Sequence, residues 1–503
     1  MTAEKQNQPL SSSSSKDDAR SSTASSRPAN LLFSSGVPWV LIAVASFYGA
    51  YCSAETSFLI LLYLFALVQL ATTDNWRKAF YGGFAAGFLI AASRLDFFWN
   101  IFSQGAVALW IVFAFWIGLF TALARLSIRR IRAPWGWLLV PFIWIGLEYF
   151  RSELYYLRFS WLTPGYALAN FQWLAPMRYV GVYGIGFLIV LIASLAVWVW
   201  QKSRFRSLCF LFLAGSMGVL LWRCATAVPE KSSSSKQVIV AGVQLEFPGD
   251  AEVVRALDRV LQKHPKTDLA VLSEYTFQGR PPKEITDWCR MNKKYLIVGG
   301  TDPAPKGNFY DTAFVVGPSG EIVFRQVKSV PIQFFKDGLP APEQNLWDSP
   351  WGKIGLCVCY DLSYSRVTDH LVKMGAQAII VPTMDVFDWG IRQHELHARI
   401  APVRAAEYGI PIFRVASSGI SQLVDRSGLV TAKAQCPGEG EIISGTLALA
   451  EAGTIPLDRW LARASVVLTV GFILWNIVLK LLGVKSKPKS APGIPAPQGA
   501  IPI

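Results

Sequence analysis

Ile354-Gly355-Leu356-Cys357-Val358-Cys359-Tyr360-Asp361-Leu362-Ser363-Tyr364 is an apolar run that ends on a thiol and a polar turn. A run without polar alternation reads as a strand covered on both faces, and the turn behind it as the exit from a sheet. A cysteine at such a strand-to-helix turn projects above the sheet, where helix amides and a lysine can lower its pKa and make it a nucleophile. Similar runs recur at Val238-Ile239-Val240-Ala241, Leu269-Ala270-Val271-Leu272, Leu296-Ile297-Val298, Ala313-Phe314-Val315-Val316 and Ala378-Ile379-Ile380-Val381. Helical stretches at 251–263, 365–374 and 395–408 alternate with them. Residues 237–450 are therefore predicted to form an α/β sandwich of about 210 residues.

Two more strand ends carry chemistry. Glu274 follows Leu269 to Leu272, and Lys328 closes Glu321-Ile322-Val323-Phe324-Arg325-Gln326-Val327. Singly, each has a plain structural reading. A strand-end cysteine is more often inert core, Glu274 a solvated loop acid and Lys328 a surface lysine. Their functional reading rests on joint occurrence, in order, in particular surroundings.

Outward from this region the composition changes. The 503 residues are 52% hydrophobic and 16% charged, with 19 Trp and 31 Phe, and the mean hydropathy is +0.34. Soluble chains carry about 25% charge, so the composition argues against a single soluble globule, and disorder throughout is excluded. Apolar stretches near 37–54, 57–72, 79–95, 105–126, 133–150, 180–200 and 207–222 read as seven spans of a membrane domain over 31–222, with an eighth at 463–483. Residues 1–30 are a Ser-rich tail predicted to be disordered, and 484–503 a basic, Pro-rich cytoplasmic tail.

The net charge of +14 would suggest nucleic acid in a soluble chain. Here the excess flanks the apolar runs and reads as topology. Arg125, Arg129, Arg130 and Arg132, then Lys202, Arg204 and Arg206, then Lys485, Lys487 and Lys489 fall with the N-terminal tail on one side, the cytoplasmic one, if there are eight spans. Residues 223–462 then face outward. No nucleic-acid partner is expected.

The surroundings of the three strand ends resemble the nitrilase, or carbon–nitrogen hydrolase, superfamily. Leu272-Ser273-Glu274, Gly320-Glu321 ahead of Lys328, and Cys359-Tyr360-Asp361 look like its three motifs. The likeness continues through Val381-Pro382-Thr383-Met384-Asp385, Gln393-His394 and Arg404-Ala405-Ala406-Glu407-Tyr408-Gly409-Ile410-Pro411. In the membrane half, Trp144 to Arg151, Phe159 to Tyr166 and Gly181 to Phe187 resemble the apolipoprotein N-acyltransferases. That resemblance implies eight spans with an inserted αββα sandwich, and a catalytic triad of Glu274, Lys328 and Cys359. It also implies a phospholipid acyl donor and a lipoprotein acceptor, and a multi-pass protein of the bacterial inner membrane with its catalytic domain on the periplasmic side. The chain is read as a monomer without cofactor or metal.

The chain departs from the family in three places. Lys328 is followed by Ser329-Val330-Pro331-Ile332-Gln333-Phe334-Phe335-Lys336, without the family's loop glutamate. Cys-Tyr-Asp replaces Cys-Tyr-Glu, and the asparagine expected near Ser417 is absent. A membrane-anchored amidase acting on a small amide or nitrile is the alternative, and a transporter is disfavoured by spans nearly free of ionisable residues. Phe334, Phe335 and Trp389 are candidates for an apolar roof that keeps water out. Glu148 and Arg151 suit either a helical ion pair or a headgroup contact. His394-Glu395-Leu396-His397 has its histidines three apart, whereas the zincin pattern needs four, so no metal site is read there. Cys357 is read as core.

Overall fold

The computed structural model describes residues 36–169, 174, 176–202, 215 and 236–483. The tail at 1–30, the span read at 207–222 and the tail at 484–503 lie outside the described residues.

The N-terminal half is helical because its residues are continuously apolar rather than alternating. Helices α1 (Val37–Ala50), α2 (Leu59–Ala71), α3 (Trp76–Arg94), α4 (Phe97–Phe102), α5 (Gly105–Arg130), α6 (Val140–Tyr149) and α7 (Met177–Trp200) follow in order. Helices α3 and α5 meet through small residues: a Cβ on Gly83 would lie 2.3 Å from Thr121 Oγ1, and one on Gly87 2.9 Å from Ala114 Cα. Such close backbone approach is the usual means of helix association in lipid. Helix α6 runs into a π turn, Phe150–Leu154, a distortion frequent at functional sites.

The second half is a two-sheet sandwich of twelve strands among the described residues. Strands β1 (Gln237–Val243), β2 (Leu269–Val271), β3 (Tyr295–Pro303), β4 (Phe309–Val316), β5 (Ile322–Val327) and β12 (Ile442–Ala448) make one sheet, in the order β12-β1-β2-β3-β4-β5. Strands β6 (Leu346–Ser349), β7 (Gly352–Leu356), β8 (Ala378–Thr383), β9 (Ile412–Ala416), β10 (Ser421–Val424) and β11 (Val430–Ala434) make the other, in the order β11-β10-β9-β8-β7-β6. Each sheet has three parallel strands at its centre, β1-β2-β3 and β7-β8-β9, with antiparallel flanks. Val238, Val240, Leu269 and Val271 enter the same core as Ile354, Leu356 and Ile380 of the opposite sheet. Their neighbours Ala241, Val243 and Ala270 instead pack on Val253, Leu257, Ile285 and Trp288. Those four belong to α8 (Asp250–Lys263) and α9 (Lys283–Asn292). Burial on both faces is why these strands carry no polar alternation.

The second sheet is followed along the chain by α10 (Ser365–Lys373), α11 (Ile391–Ala398) and α12 (Ile400–Tyr408). The single helix read at 395–408 is in fact two, broken at Arg399. Pro402 sits in the first turn of α12, where its missing N–H costs nothing. A last helix, α13 (Asp458–Leu481), closes the described chain. Helices α5, α7 and α13 are each long and apolar enough to cross a membrane, whereas α1 and α2 are apolar but shorter.

A charged knot joins α13 to the sandwich and to α7. Arg459 Nη1 lies 2.8 Å from Glu407 and 2.7 Å from Asp458, and its Nε 2.9 Å from Asp369 Oδ2. Arg404 binds the other oxygen of Glu407 at 2.5 Å. The backbone N–H groups of Val182 and Tyr183 donate to Glu407 and Asp458. Helix α13 thus begins before the apolar stretch read at 463–483, because its first turn is charged and held by protein.

Candidate active site

Three strand ends deliver the three residues singled out in the sequence to one place. Glu274 leaves the sheet just after β2, and Gly299 of β3 leaves room for it: a Cβ there would lie 2.5 Å from Glu274 Cα. Lys328 follows β5 directly. Cys359 opens a tight 3-10 turn, Cys359–Ser363, with φ of 49°. A left-handed backbone costs a non-glycine residue roughly 1–2 kcal/mol, and here it turns the thiol out of the sheet.

Lys328 Nζ lies 2.7 Å from Glu274 Oε1. The other Glu274 oxygen accepts the Met384 N–H at 2.8 Å. Cys359 Sγ lies 3.7 Å from the carbonyl of the same Met384, so the thiol and Glu274 meet at one residue. All three side chains are buried. One carboxylate therefore pairs with the ammonium and shares Met384 with the thiol.

Burial disfavours charge on Lys328, but Glu274, Asp337 and Asp311 together hold its ammonium well above the ordinary lysine value. Burial likewise raises Glu274, and the charge and hydrogen bond of Lys328 more than reverse it, leaving the carboxyl below its usual range. Asp311 is pushed far up, by burial and then by Glu274. The Cys359 thiol is raised as well, by burial and by Glu274. This corrects the expectation of a lowered thiol pKa. At rest Cys359 is protonated, and a base must act on it.

Three acids outside the expected triad hold this arrangement. Asp337 lies 2.8 Å from Lys328 Nζ, accepts the Tyr275 hydroxyl at 2.9 Å and the Ile332 N–H at 2.6 Å. It gives the lysine loop the carboxylate that its motif lacks, from a place further along. Asp361, the aspartate of Cys-Tyr-Asp, accepts the N–H groups of Ser329 at 2.9 Å and Val330 at 2.7 Å. It thereby ties the cysteine turn to the lysine loop. Burial pushes its carboxyl up to about 6 despite these bonds. Asp385, next to Met384, binds Arg414, Gln393 and His397.

Cys359 lies in the wall of a cavity of about 980 Å³, its mouth included. Phe97, Phe98 and Phe102 of α4, with Val112, Phe113 and Trp116 of α5, form one side. Trp161, Tyr360 and the loop at 332–335 form the other. Phe334, Phe335 and Trp389, expected as a roof, all line it. Phe102 meets Phe334 and Phe335 edge-on at 5.9 and 5.7 Å, and Phe335 meets Trp389 at 6.1 Å. Arg151 and Arg158 are the cations in the lining. The Glu148–Arg151 pair open in the sequence does not form: Glu148 accepts from Trp144 Nε1 at 2.7 Å, and Arg151 donates to the Phe159 carbonyl at 3.0 Å. Cys357 is fully buried core, as expected.

Residues 40–195 match the apolipoprotein N-acyltransferase N-terminal domain, and residues 261–456 match the carbon-nitrogen hydrolase domain. Along most of its length the chain is similar to the apolipoprotein N-acyltransferases. It is 24% identical over 464 residues to the apolipoprotein N-acyltransferase of Shewanella oneidensis, covering 80% of this chain and 87% of that one. With the enzyme of the same name from Nitrosomonas europaea it shares 24% over 392 residues, 69% of this chain and 77% of the other. Among solved structures, Saccharomyces cerevisiae Nit3, a nitrilase superfamily member, aligns with 44% of this chain and 93% of its own, at 21% identity and a TM-score of 0.37. The sandwich has the nitrilase-like fold of this family.

Proposed function

We propose that this protein is an N-acyltransferase that moves an acyl chain from a phospholipid, through a thioester on Cys359, to the N-terminal amine of a diacylglyceryl-cysteine lipoprotein. One observation carries the reading. A thiol in the wall of an apolar cavity, whose other walls come from the helical half, shares Met384 with a buried carboxylate–ammonium pair.

Glu274 takes the proton from Cys359, and the sulfur attacks the ester carbonyl. Lys328 stabilises the oxyanion, help worth about 3–4 kcal/mol per donor in other enzymes. Glu274 returns the proton to the departing glycerol oxygen, lysophospholipid leaves, and the acceptor amine then takes the acyl chain, so the kinetics are ping-pong. The donor ester supplies the free energy. An aromatic mouth fits this order, because water would otherwise hydrolyse the thioester.

The domain plan proposed is a membrane domain over 31–222 with seven spans, a catalytic domain over 237–450 and an eighth span near 463–483. The protein would sit in the bacterial inner membrane as a monomer, with its active site on the periplasmic face. Basic residues at 125–132, 202–206 and 485–489 support that orientation. An amidase of small amides is the weaker reading, since a cavity of this size and apolarity suits an acyl chain.

The test is Cys359→Ser in membranes, followed by mass spectrometry of lipoprotein N-termini. N-acylation is expected to vanish; its persistence in a strain without another such enzyme would defeat the assignment. Labelled phospholipid separates the two activities by whether the label passes to amine or to water.

A further inference from the structure

Acyl transfer to an amine requires the amine uncharged. α-Amino groups titrate near about 7.7–8.0, so at neutral pH most acceptors arrive as ammonium. Glu274 is already engaged by Lys328 at 2.7 Å and by the Met384 N–H at 2.8 Å, and it has the second proton of the transfer to carry. The cavity has a second titratable wall.

His397 of α11 is 3% exposed and lines the cavity together with Cys359. Its Nδ1 lies 2.7 Å from Asp385 Oδ1. Asp385 also binds Arg414 through its other oxygen and Gln393 Nε2 at 3.0 Å. Burial opposes charge on Asp385, yet His397 and Arg414 hold its carboxyl far below the usual range, so it is an anion. Arg414 Nη2 also lies 3.0 Å from Nδ1, but the shorter contact, to an ionised carboxylate, places the imidazole proton on Nδ1, which donates it to Asp385 and leaves Nε2 as an acceptor. The ring is stacked on Trp161, 4.8 Å between centroids at 15°. Trp161 is itself fixed by its Nε1 donating to Ser363 Oγ at 3.1 Å. The charged and titratable groups around the imidazole are Asp385, Arg414, His394 and Glu274. Burial and Arg414 outweigh the two carboxylates and keep the imidazole pKa below its ordinary value, so the ring is neutral at pH 7.

We propose that His397 is the base that deprotonates the acceptor ammonium, a second acid–base group beside Glu274. The inference rests on the acyltransferase reading above. Nε2 takes one proton from R–NH3+, and the free amine attacks the Cys359 thioester carbonyl. Glu274 takes the second proton from the tetrahedral nitrogen, the C–S bond breaks, and Glu274 returns that proton to the sulfur. His397 releases its own proton to water. The products are amide, thiol and one proton. The motif that failed as a metal pattern thus supplies a base, oriented by Asp385.

The experiment separates the half-reactions in the full-length protein in detergent. Cys359 is loaded from phospholipid and followed by intact mass, and the acceptor is then added. His397→Gln is expected still to load Cys359. Its transfer to a diacylglyceryl-cysteine lipopeptide should fall about 100-fold at pH 7 and recover toward pH 9. Transfer to hydroxylamine, uncharged at neutral pH, should fall no more than a few-fold. Equal losses with both acceptors, or no loss with either, would overturn the proposal, since a ring that only props Trp161 has no reason to distinguish them. In the unsubstituted protein the acidic limb of lipopeptide transfer should lie below about 6.5; a limb at the amine's own value would also overturn it. Loading reports on the acyltransferase reading alone, and the acceptor step on His397.

Discussion

Lys328 is surrounded by three carboxylates, Glu274, Asp311 and Asp337, at 2.7, 3.3 and 2.8 Å. The ammonium stays charged although fully buried, because the carboxyl groups around it outweigh the cost of burial. Asp337 also fixes the start of the loop at Ile332, so Asp337→Asn should loosen both the ammonium and the cavity mouth. Thioester formation is expected to slow by about 10- to 100-fold in single-turnover loading, while the protein stays folded, since a polar isostere remains. Asp361 gives a pH signature. Its carboxyl is raised to about 6, above the ordinary aspartate value of about 3.9, so between those values the folded state binds a proton that the unfolded chain lacks. Its contribution to stability is then greatest below pH 4 and is lost as pH rises through 6, about 3 kcal/mol in all. Melting curves in detergent at pH 5 and pH 7 should differ less for Asp361→Asn than for the parent.

At the scale of elements, the loop at 332–335 spans the catalytic and helical halves. Phe334 has φ of 71° and is 66% exposed, while Phe335 bridges Phe102 and Trp389. A loop held by edge-on ring contacts, each worth about 0.5–1.5 kcal/mol, can open for lipid and close against water. Phe335→Ala should leave Cys359 able to load and shift the fate of the acyl chain. Free fatty acid from labelled phospholipid is expected to rise several-fold relative to lipopeptide product. An unchanged ratio would remove the loop from any part in excluding water.

For the molecule as a whole, the knot around Arg459 makes the halves one unit. Arg459 neutralises Glu407, Asp369 and Asp458, which belong to α12, α10 and α13. Arg459→Met would leave buried carboxylates without their cation, a loss of about 3–5 kcal/mol. The expected result is a clear fall in melting temperature in detergent, with loading of Cys359 lost as the cavity wall separates. A melting temperature equal to the parent's would show that apolar contacts alone dock α13.

The sequence by itself determined the two-part plan, because a membrane span and a doubly buried strand both need unbroken apolar runs of different length. It also placed Glu274, Lys328 and Cys359 at strand ends, since each follows a run that could be read locally. Asp337, Asp385 and His397 were not legible in the same way. Each lies on a loop or helix whose path depends on contacts with distant segments, such as Lys328 with Asp337 and Trp161 with His397. The thiol's protonation belongs to that tertiary class as well. A strand-end cysteine beside a lysine suggests a lowered pKa, but burial and the adjacent carboxylate outweigh the ammonium once the chain has folded. Period and length are properties of a segment, whereas charge balance in a buried pocket belongs to all the segments that meet there.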